Sequence, residues 1–458
     1  SDPEITAVTH DSRRVALGAL YCCLPGATVD GHDFAHAAVE QGAVALLCER
    51  AMTLPVPQLI VGDARRAMAH LAANLHRHPA ASLRMVGVTG TNGKTTTVAM
   101  VQAMLEASGM HTATLGTLAV KGPGAPPTTP DSSDLQALLA SFRDAGHAAV
   151  AMEVSSEGLL AARVDAITFD VAAFTNLSQD HLNVHGTMEN YFLAKAQLFT
   201  PERTRAAVIC IDDGWGSRLA GLAADLGVAV TRCSVRDVVI EYVEGPHTTV
   251  RWHGARGTIH LAGEHNLANA VVAANIGELL GLTPAEALAG LGSLTTVAGR
   301  FEYVDAGQPF AVVVDYAHTP DGGAGARRAA RRAAAADGRV TGVVGAGGER
   351  DPAKRPQMAA LAEELADRVV LTSDNPRSED PRAILEQMQL GLRDPQGIVL
   401  EPDRARAIRL ALEGAEAGDL VLIAGKGHET TQTIGDQVLP FDDREVARAA
   451  LRDMGFGR

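Results

Sequence analysis

A chain of 458 residues is longer than one hydrophobic core comfortably covers, so two or three domains are expected. Hydrophobic residues make up 46% and aromatics 4%, with abundant Ala, Gly and Val, a balance of globular α/β proteins that excludes a sandwich or a disordered tail. The net charge of −14 is spread along the chain, and such a diffuse negative field repels phosphate backbones and anionic lipid, so no nucleic-acid partner is expected.

Five cysteines (Cys22, Cys23, Cys48, Cys210 and Cys233) show no paired metal spacing and sit mostly in apolar runs, which reads as reduced core thiols. No apolar run reaches the roughly 18 residues of a membrane span, and no charged segment followed by an apolar stretch opens the sequence. The expectation is a cytoplasmic protein without membrane insertion, and a monomer. Lysine usage says more: there are five, against 35 arginines. Where generic positive charge suffices this sequence supplies Arg, so each Lys calls for a chemical reason.

Residues 1–83 alternate short apolar strands (19–24, 43–48, 58–61) with helices such as 34–41, the pattern of a small α/β domain. At 84–299 a strand (85–88), a Gly-rich turn and an apolar-periodic helix (95–108) open a second domain in the manner of nucleotide-binding folds. Strands follow at 148–153, 171–174 and 206–211, with a helix at 188–199, a β-rich stretch at 238–261 and a helix at 266–280. At 300–458 strands at 310–315, 340–344, 368–372, 397–400 and 419–423 alternate with Ala-rich helices, which reads as a separate doubly wound domain. The basic and alanine-rich stretch 327–336 reads as a solvated helix face.

The segment Gly87-Val88-Thr89-Gly90-Thr91-Asn92-Gly93-Lys94-Thr95-Thr96 ends in the Gly-Lys-Thr of a phosphate loop. Backbone amides cradle phosphates there, Lys94 reaches the terminal phosphates and Thr95 meets magnesium. The first glycine of the usual pattern falls on Val88, with Gly87 and Gly90 to either side. Glu153 ends a predicted strand, where a carboxylate metal ligand faces the nucleotide of a doubly wound sheet. Gly345-Ala346-Gly347-Gly348-Glu349-Arg350 imitates a dinucleotide fingerprint, but its third glycine is Arg350, so NAD is rejected.

The loop Gly90-Thr91-Asn92-Gly93-Lys94-Thr95 resembles the Mur ligases and the folylpolyglutamate synthetases. The resemblance runs in order from about Asp11 to Asp443 and is that of the Mur ligases. It implies three domains: a small α/β UDP-substrate domain, a central mononucleotide-binding parallel sheet with a β-rich appendage, and a C-terminal Rossmann-like domain for the amino acid. It also implies ATP and Mg²⁺ as cofactors and an amide ligation through an acyl phosphate.

Carried over residue by residue, the resemblance makes Glu153, His181 and a carbamylated Lys195, with Thr95, the magnesium-organising groups. A carbamate is an oxygen ligand where an ammonium would be repelled. Gly90, Thr91, Asn92, Gly93, Lys94, Thr95 and Thr96, with Asn266 of Gly263-Glu264-His265-Asn266, Arg300 and Asp315, would hold ATP. Asp374-Asn375-Pro376-Arg377 marks, within that family, members adding diaminopimelate to UDP-N-acetylmuramoyl-L-alanyl-D-glutamate. Arg350, Arg377, Asn375, Gly425 and Glu429 would receive the amino acid, Arg377 being suited to a two-pronged grip on its carboxylate. Ser12, Ala27, Thr28 and Val29 resemble the uridine-diphosphate loops, and Thr128, Thr129, Ser155 and Arg163 match positions that hold the muramoyl peptide.

Four features depart from the family's pattern. Glu157 stands where a His usually follows the two serines, Asn183 and Val184 replace an Asp and an aromatic, Ala161 replaces a substrate-binding Gln, and Glu349 replaces an Asp. These leave room for a lysine- or LL-diaminopimelate-adding enzyme or a secondary-metabolism paralogue. Folate chemistry has no use for the first domain or for Asp374-Asn375-Pro376-Arg377. A non-catalytic nucleotide-binding scaffold is the rival from another class, although Lys94, Thr95, Glu153, His181 and Lys195 are all present.

Overall fold

The short apolar runs of the first segment pair as a four-stranded parallel sheet of β1 (Ala7–Thr9), β2 (Ala19–Cys22), β3 (Ala43–Cys48) and β4 (Gln58–Ile60), in that order. In this computed structural model, which describes residues 3–26, 29–118 and 127–457, all five cysteines are free and buried.

The second sheet is six-stranded and parallel: β5 (Arg84–Thr89), β6 (Thr112–Leu115), β7 (Ala149–Glu153), β8 (Phe169–Phe174), β9 (Thr204–Cys210) and β10 (Ala229–Cys233) lie in the order β10-β9-β8-β5-β7-β6. Alternate residues serve opposite faces: Val86, Val88, Val171 and Ala173 enter one core, and Met85, Ala172 and Phe174 the other. Both faces are covered, which is why these strands read as continuous apolar runs. With β7 on one side of β5 and β8 on the other, the strand order switches sides at β5 while all strands stay parallel, and the loop after it opens at the carboxyl edge where such sheets bind ligands.

The β-rich stretch forms an antiparallel sheet of β11 (Val239–Glu244), β12 (His247–Trp252) and β13 (Ala255–Ile259). Val250, Trp252 and Ile259 pack into the central core beside the helices Glu264–Leu279 and Pro284–Ser293, while β11 stays exposed.

The last large sheet has the order β14-β15-β19-β16-β17-β18, formed by β14 (Glu302–Tyr303), β15 (Ala311–Asp315), β16 (Val340–Ala346), β17 (Arg368–Ser373), β18 (Val399–Leu400) and β19 (Leu420–Ala424). Only β14 is antiparallel. A hairpin of β20 (Thr431–Ile434) and β21 (Gln437–Pro440) follows, and the helix Asp443–Asp453 ends the described fold. No helix of the described residues is long and apolar enough to cross a membrane.

Three expectations need correction. The helix expected at 188–199 ends at Ala196, and the strand expected at 397–400 holds only Val399–Leu400, preceded by a 3-10 turn at Pro395–Gly397. The stretch 327–336 is solvated only in part, with Arg328, Arg331 and Arg332 exposed and Arg327 turned inward. The helix Pro320–Ala333 seats Ala326, Ala329 and Ala330 against the sheet, and Arg327 is 2% exposed. Small alanine side chains let this helix lie close to the strands, which draws the neighbouring Arg327 inward.

Candidate functional site

The helix Lys94–Ala107 begins without a side-chain cap, its N-cap being Gly93 in a left-handed conformation. The helices Met188–Ala196 and Pro284–Ser293, in contrast, are capped by Thr187 and Thr283. First-turn N–H groups left uncapped at the carboxyl edge of β5 make an anion cradle, reinforced by the helix dipole. Gly90, at φ 148°, allows the loop to pass Thr175: a Cβ there would overlap the Thr175 hydroxyl. Two cavities meet at this loop, of about 490 and 350 Å³, sharing Asn92, Gly93, Arg300 and Tyr316.

The larger cavity is walled by Asn92, Gly93 and Thr96, by His265 and Asn266 at the start of the helix Glu264–Leu279, and by Arg300 and Asp315 from the last domain. The Asn266 amide donates to Ala262 O (2.8 Å) and accepts from Asn269 (3.4 Å). Asp315 accepts the Phe301 N–H at 2.7 Å, and burial pushes its carboxyl up to about 6 against the opposing pull of Arg300. Arg300 bridges the domains. Its Nη2 donates to Thr95 Oγ1 (2.9 Å), and its guanidinium stacks over the Tyr316 ring at 4.5 Å.

The smaller cavity holds the charged groups. Glu153, 2% exposed, accepts Thr95 Oγ1 (3.0 Å) and Thr117 N (2.8 Å) at Oε1, and Thr117 Oγ1 (3.2 Å) at Oε2. Beneath the loop, the ammonium groups of Lys94 and Lys195 both reach the Gly90 carbonyl, at 3.0 and 2.9 Å. Burial lowers the pKa of each, that of Lys195 strongly, with Lys94 adding repulsion. His181, at φ 53°, turns its ring toward Glu157 (3.3 Å) and Asp180 (3.4 Å). Although burial opposes it, the charges of His318, Lys354 and His181 hold the Asp180 carboxyl well below the usual carboxylate range. Lys354 meets Asp180 across the domain junction at 3.4 Å.

On the far wall lie Arg350, Asp374, Asn375, Arg377, Gly425 and Glu429. Asn375 donates to Glu429 (2.7 Å), and the fully buried Lys426 holds Asn375 Oδ1 (3.1 Å), Glu429 (3.0 Å) and Thr431 O (2.6 Å). Arg377 Nη1 donates to Gly348 O at 2.7 Å. Burial and the charge of Glu429 raise the Asp374 carboxyl, opposed by Arg404, which is itself locked in a fully buried pair with Asp443 at 2.7 Å. A face bearing two guanidiniums beside carboxylates suits a zwitterionic amino acid.

Thr128, Ser155 and Arg163 border the same cavity. Thr129 does not: fully buried, it ties Glu153 O (2.9 Å) to the Ser155 hydroxyl (3.2 Å). Arg163 is engaged by Asp131 (3.0 Å) and Thr129 O (3.1 Å). Pro376, Ser12 and Val29 stand outside both cavities, Ser12 opening the 3-10 turn Ser12–Arg14. Ala27 and Thr28 lie outside the described residues. Of the departures, Glu157 and Asn183 face the cavity, whereas Ala161 and Val184 do not. Glu349 accepts the Ser378 hydroxyl, at 2.5 Å.

The motif reading missed Thr117, Asp180, Tyr316, His318, Lys354, Lys426 and Arg404. One signal pointed to two of them: of the four lysines among the described residues, Lys94 and Lys354 line this cleft, and Lys195 and Lys426 are buried directly behind its walls. A sequence that spends lysine so sparingly keeps it where a compact, titratable ammonium is needed.

Three family models match the chain: "Mur ligase family, catalytic domain" over residues 4–77, "Mur ligase middle domain" over 88–277 and "Mur ligase, glutamate ligase domain" over 299–427. The chain is 44% identical over 472 residues to the UDP-N-acetylmuramoyl-L-alanyl-D-glutamate--2,6-diaminopimelate ligase of Geobacillus kaustophilus (strain HTA426), spanning 99% of this chain and 96% of that one. A solved structure of a ligase of the same name superposes with a TM-score of 0.68 at 30% identity, covering 98% of this chain and 95% of the other. The MurF ligase from Thermotoga maritima in complex with ADP shares the fold, with a TM-score of 0.67 at 22% identity and coverage of 99% and 98%.

Proposed function

From the premise that this chain belongs to the Mur ligase family and is an ATP-dependent amide ligase, we propose that it joins 2,6-diaminopimelate to the D-glutamyl carboxylate of UDP-N-acetylmuramoyl-L-alanyl-D-glutamate. One observation carries the reading. A single cleft joins an uncapped phosphate loop, with Thr95, Glu153 and Lys94, to the Arg350, Arg377, Asn375 and Glu429 wall, while Lys195 lies buried beneath the loop. Phosphoryl donor, carboxylate and amine can therefore meet in one enclosure.

ATP would lie with its base in the larger cavity, against Asn266 and Asp315, and its phosphates over the first turn of the helix Lys94–Ala107. Mg²⁺ fits the donor chemistry at the loop: Thr95 Oγ1 and Glu153 Oε1 are hard oxygens 3.0 Å apart, and this ion completes its shell with water and phosphate rather than with an all-protein cage. Bound there, the ion would supply charge neutralisation to the phosphates. Lys195, in which burial and the neighbouring charge of Lys94 favour the neutral amine over the ammonium, is chemically suited to take up CO₂ as a carbamate oxygen donor. His181 is held at the cleft wall by Glu157 and Asp180.

The reaction follows in two steps. A carboxylate oxygen of the D-glutamyl residue bonds to the γ-phosphorus as the bond to the ADP oxygen breaks, giving an acyl phosphate. The neutral amine of diaminopimelate then bonds to the acyl carbon, phosphate leaves and the amine loses a proton. Lys94 and Arg300 offset the migrating charge, and Arg350 and Arg377 orient the amine by its carboxylate, so catalysis is mostly positioning and electrostatics. Arg300 joins the domains at Thr95, which supports docking of the last domain over the nucleotide as part of assembling the site.

A second reading, a different carboxylate substrate, is favoured by Glu157, whose negative charge faces the peptide end of the cleft. Phosphate release is to be measured with ATP, Mg²⁺ and the UDP-dipeptide, adding meso-diaminopimelate, LL-diaminopimelate or lysine separately and weighing each product. Turnover with one diaminopimelate isomer supports the proposal. Binding of ATP without turnover of any amine would refute it in favour of another carboxylate.

A further inference from the structure

Beside the nucleotide cavity, with which it shares Arg328 and Arg332, the helix Pro320–Ala333 and the end of the helix Lys354–Leu365 line a second, open recess of about 290 Å³. Four arginines line it, Arg327, Arg328, Arg331 and Arg332, against two acids, Glu364 and Asp367. Three of the arginines are engaged. Arg328 Nε donates to Ala324 O (3.2 Å), Arg331 pairs with Asp367 (2.5 Å) and Gly338 O (3.2 Å), and Arg332 pairs with Glu264 (3.3 Å).

Arg327 differs from them. It is 2% exposed and, among the described residues, its buried Nε has no acceptor and no carboxylate lies within ion-pair distance. Space is left for its guanidinium: a Cβ on Gly323, one turn earlier, would stand 2.7 Å from Nη2. Burial pushes the guanidinium down to about 10, above neutral pH, so it stays charged. A buried, unpaired cation is strongly unfavourable, and a counter-charge entering the recess would relieve that cost. A planar fork of donors with free positions matches the oxygens of a phosphate-type oxyanion.

We propose that the cavity between these two helices is a binding site for an inorganic oxyanion of phosphate type, received by Arg327. Arg331 and Arg332 form its rim, and the nucleotide loop takes no part in it. The site adjoins the cleft through its own helix, since Asp321, Gly322, Arg328 and the rim residue Arg332 also border the nucleotide cavity.

The test uses the full chain saturated with a non-hydrolysable ATP analogue, so that the phosphate loop is filled. Thermal midpoints are read while potassium phosphate replaces potassium chloride at equal ionic strength. Wild type is expected to gain ~2 °C or more, saturably. Arg327→Leu is expected to start above wild type in chloride, because an apolar group replaces an unpaired charge, and to gain nothing specific from phosphate. Phosphate also stabilises proteins generally by exclusion from their surface, so an equal gain in both proteins overturns the proposal. So does an Arg327→Leu protein that starts below wild type in chloride. Should that variant not fold, hydrogen exchange on the analogue-loaded wild type decides: phosphate should slow exchange in 320–333 and 354–367, and unchanged exchange there overturns the site.

Discussion

Replacing Glu153 by Gln separates the two things its carboxylate can do. As a bracket, Glu153 accepts three hydrogen bonds, from Thr95 Oγ1 (3.0 Å), Thr117 N (2.8 Å) and Thr117 Oγ1 (3.2 Å). A Gln side chain keeps Oε1 for the first two, and its amide can donate to the Thr117 hydroxyl, which accepts as readily as it donates. Folding stability should therefore change by no more than about 1 kcal/mol. What Gln removes is the negative charge beside the phosphate loop. If that charge helps assemble the ATP and magnesium site, kcat for phosphate release should fall about 10²–10³-fold, equivalent to about 3–4 kcal/mol of transition-state stabilisation. Glu153→Ala should lose both, with activity down and stability lower by about 2–4 kcal/mol, because the Thr95 hydroxyl and the two Thr117 donors lose their acceptor. The assay pairs steady-state phosphate release with a denaturant midpoint for each variant. A Glu153→Gln protein turning over within threefold of wild type would show that the carboxylate is only a bracket, and the reasoning would fail.

Three further outcomes are expected. Turnover of the wild type should drop in buffer stripped of CO₂ and recover with bicarbonate, while Lys195→Met is low in both; a wild type indifferent to CO₂ would remove the carbamate from the scheme. Gly90→Ala should weaken ATP binding at least tenfold by calorimetry and cost about 2–4 kcal/mol of stability, since the new Cβ meets the Thr175 hydroxyl at a backbone angle side chains avoid; unchanged ATP affinity would contradict the loop geometry. Asp315 is raised to about 6 in the folded protein from 3.8, so its proton is held more tightly folded than unfolded. Its contribution is full below about 4 and is lost as pH rises through about 6, by no more than about 3 kcal/mol. Wild type should thus lose stability relative to Asp315→Asn between pH 4 and 7, and a constant difference over that range would refute the assignment.

How much was legible beforehand depended on the distance over which each feature is written. The phosphate loop, the strand ending at Glu153 and the tetrapeptide Asp374-Asn375-Pro376-Arg377 are contiguous, and the periodicities of β5 and the helix Lys94–Ala107 involve neighbours a few positions apart. Short strands such as β6, β10 and the β20–β21 hairpin were not singled out, because their mixed polar and apolar residues do not stand out from a loop as the equally short apolar runs do.

By itself the sequence determined the α/β class, the phosphate loop and its lysine, and, through the scarcity of lysine, the residues worth suspecting. Tertiary structure decided the partners: Lys354 meets Asp180 174 residues away, Arg300 meets Thr95 205 residues away, and Lys426 grips Asn375 51 residues away. It also decided that Arg327, in a stretch that looks like a solvated face, is buried without an acceptor. The physical reason is that local pattern records which face of an element is apolar. Whether a given charge on that element ends in water, in an ion pair or in an empty cavity depends on what the rest of the chain packs against it.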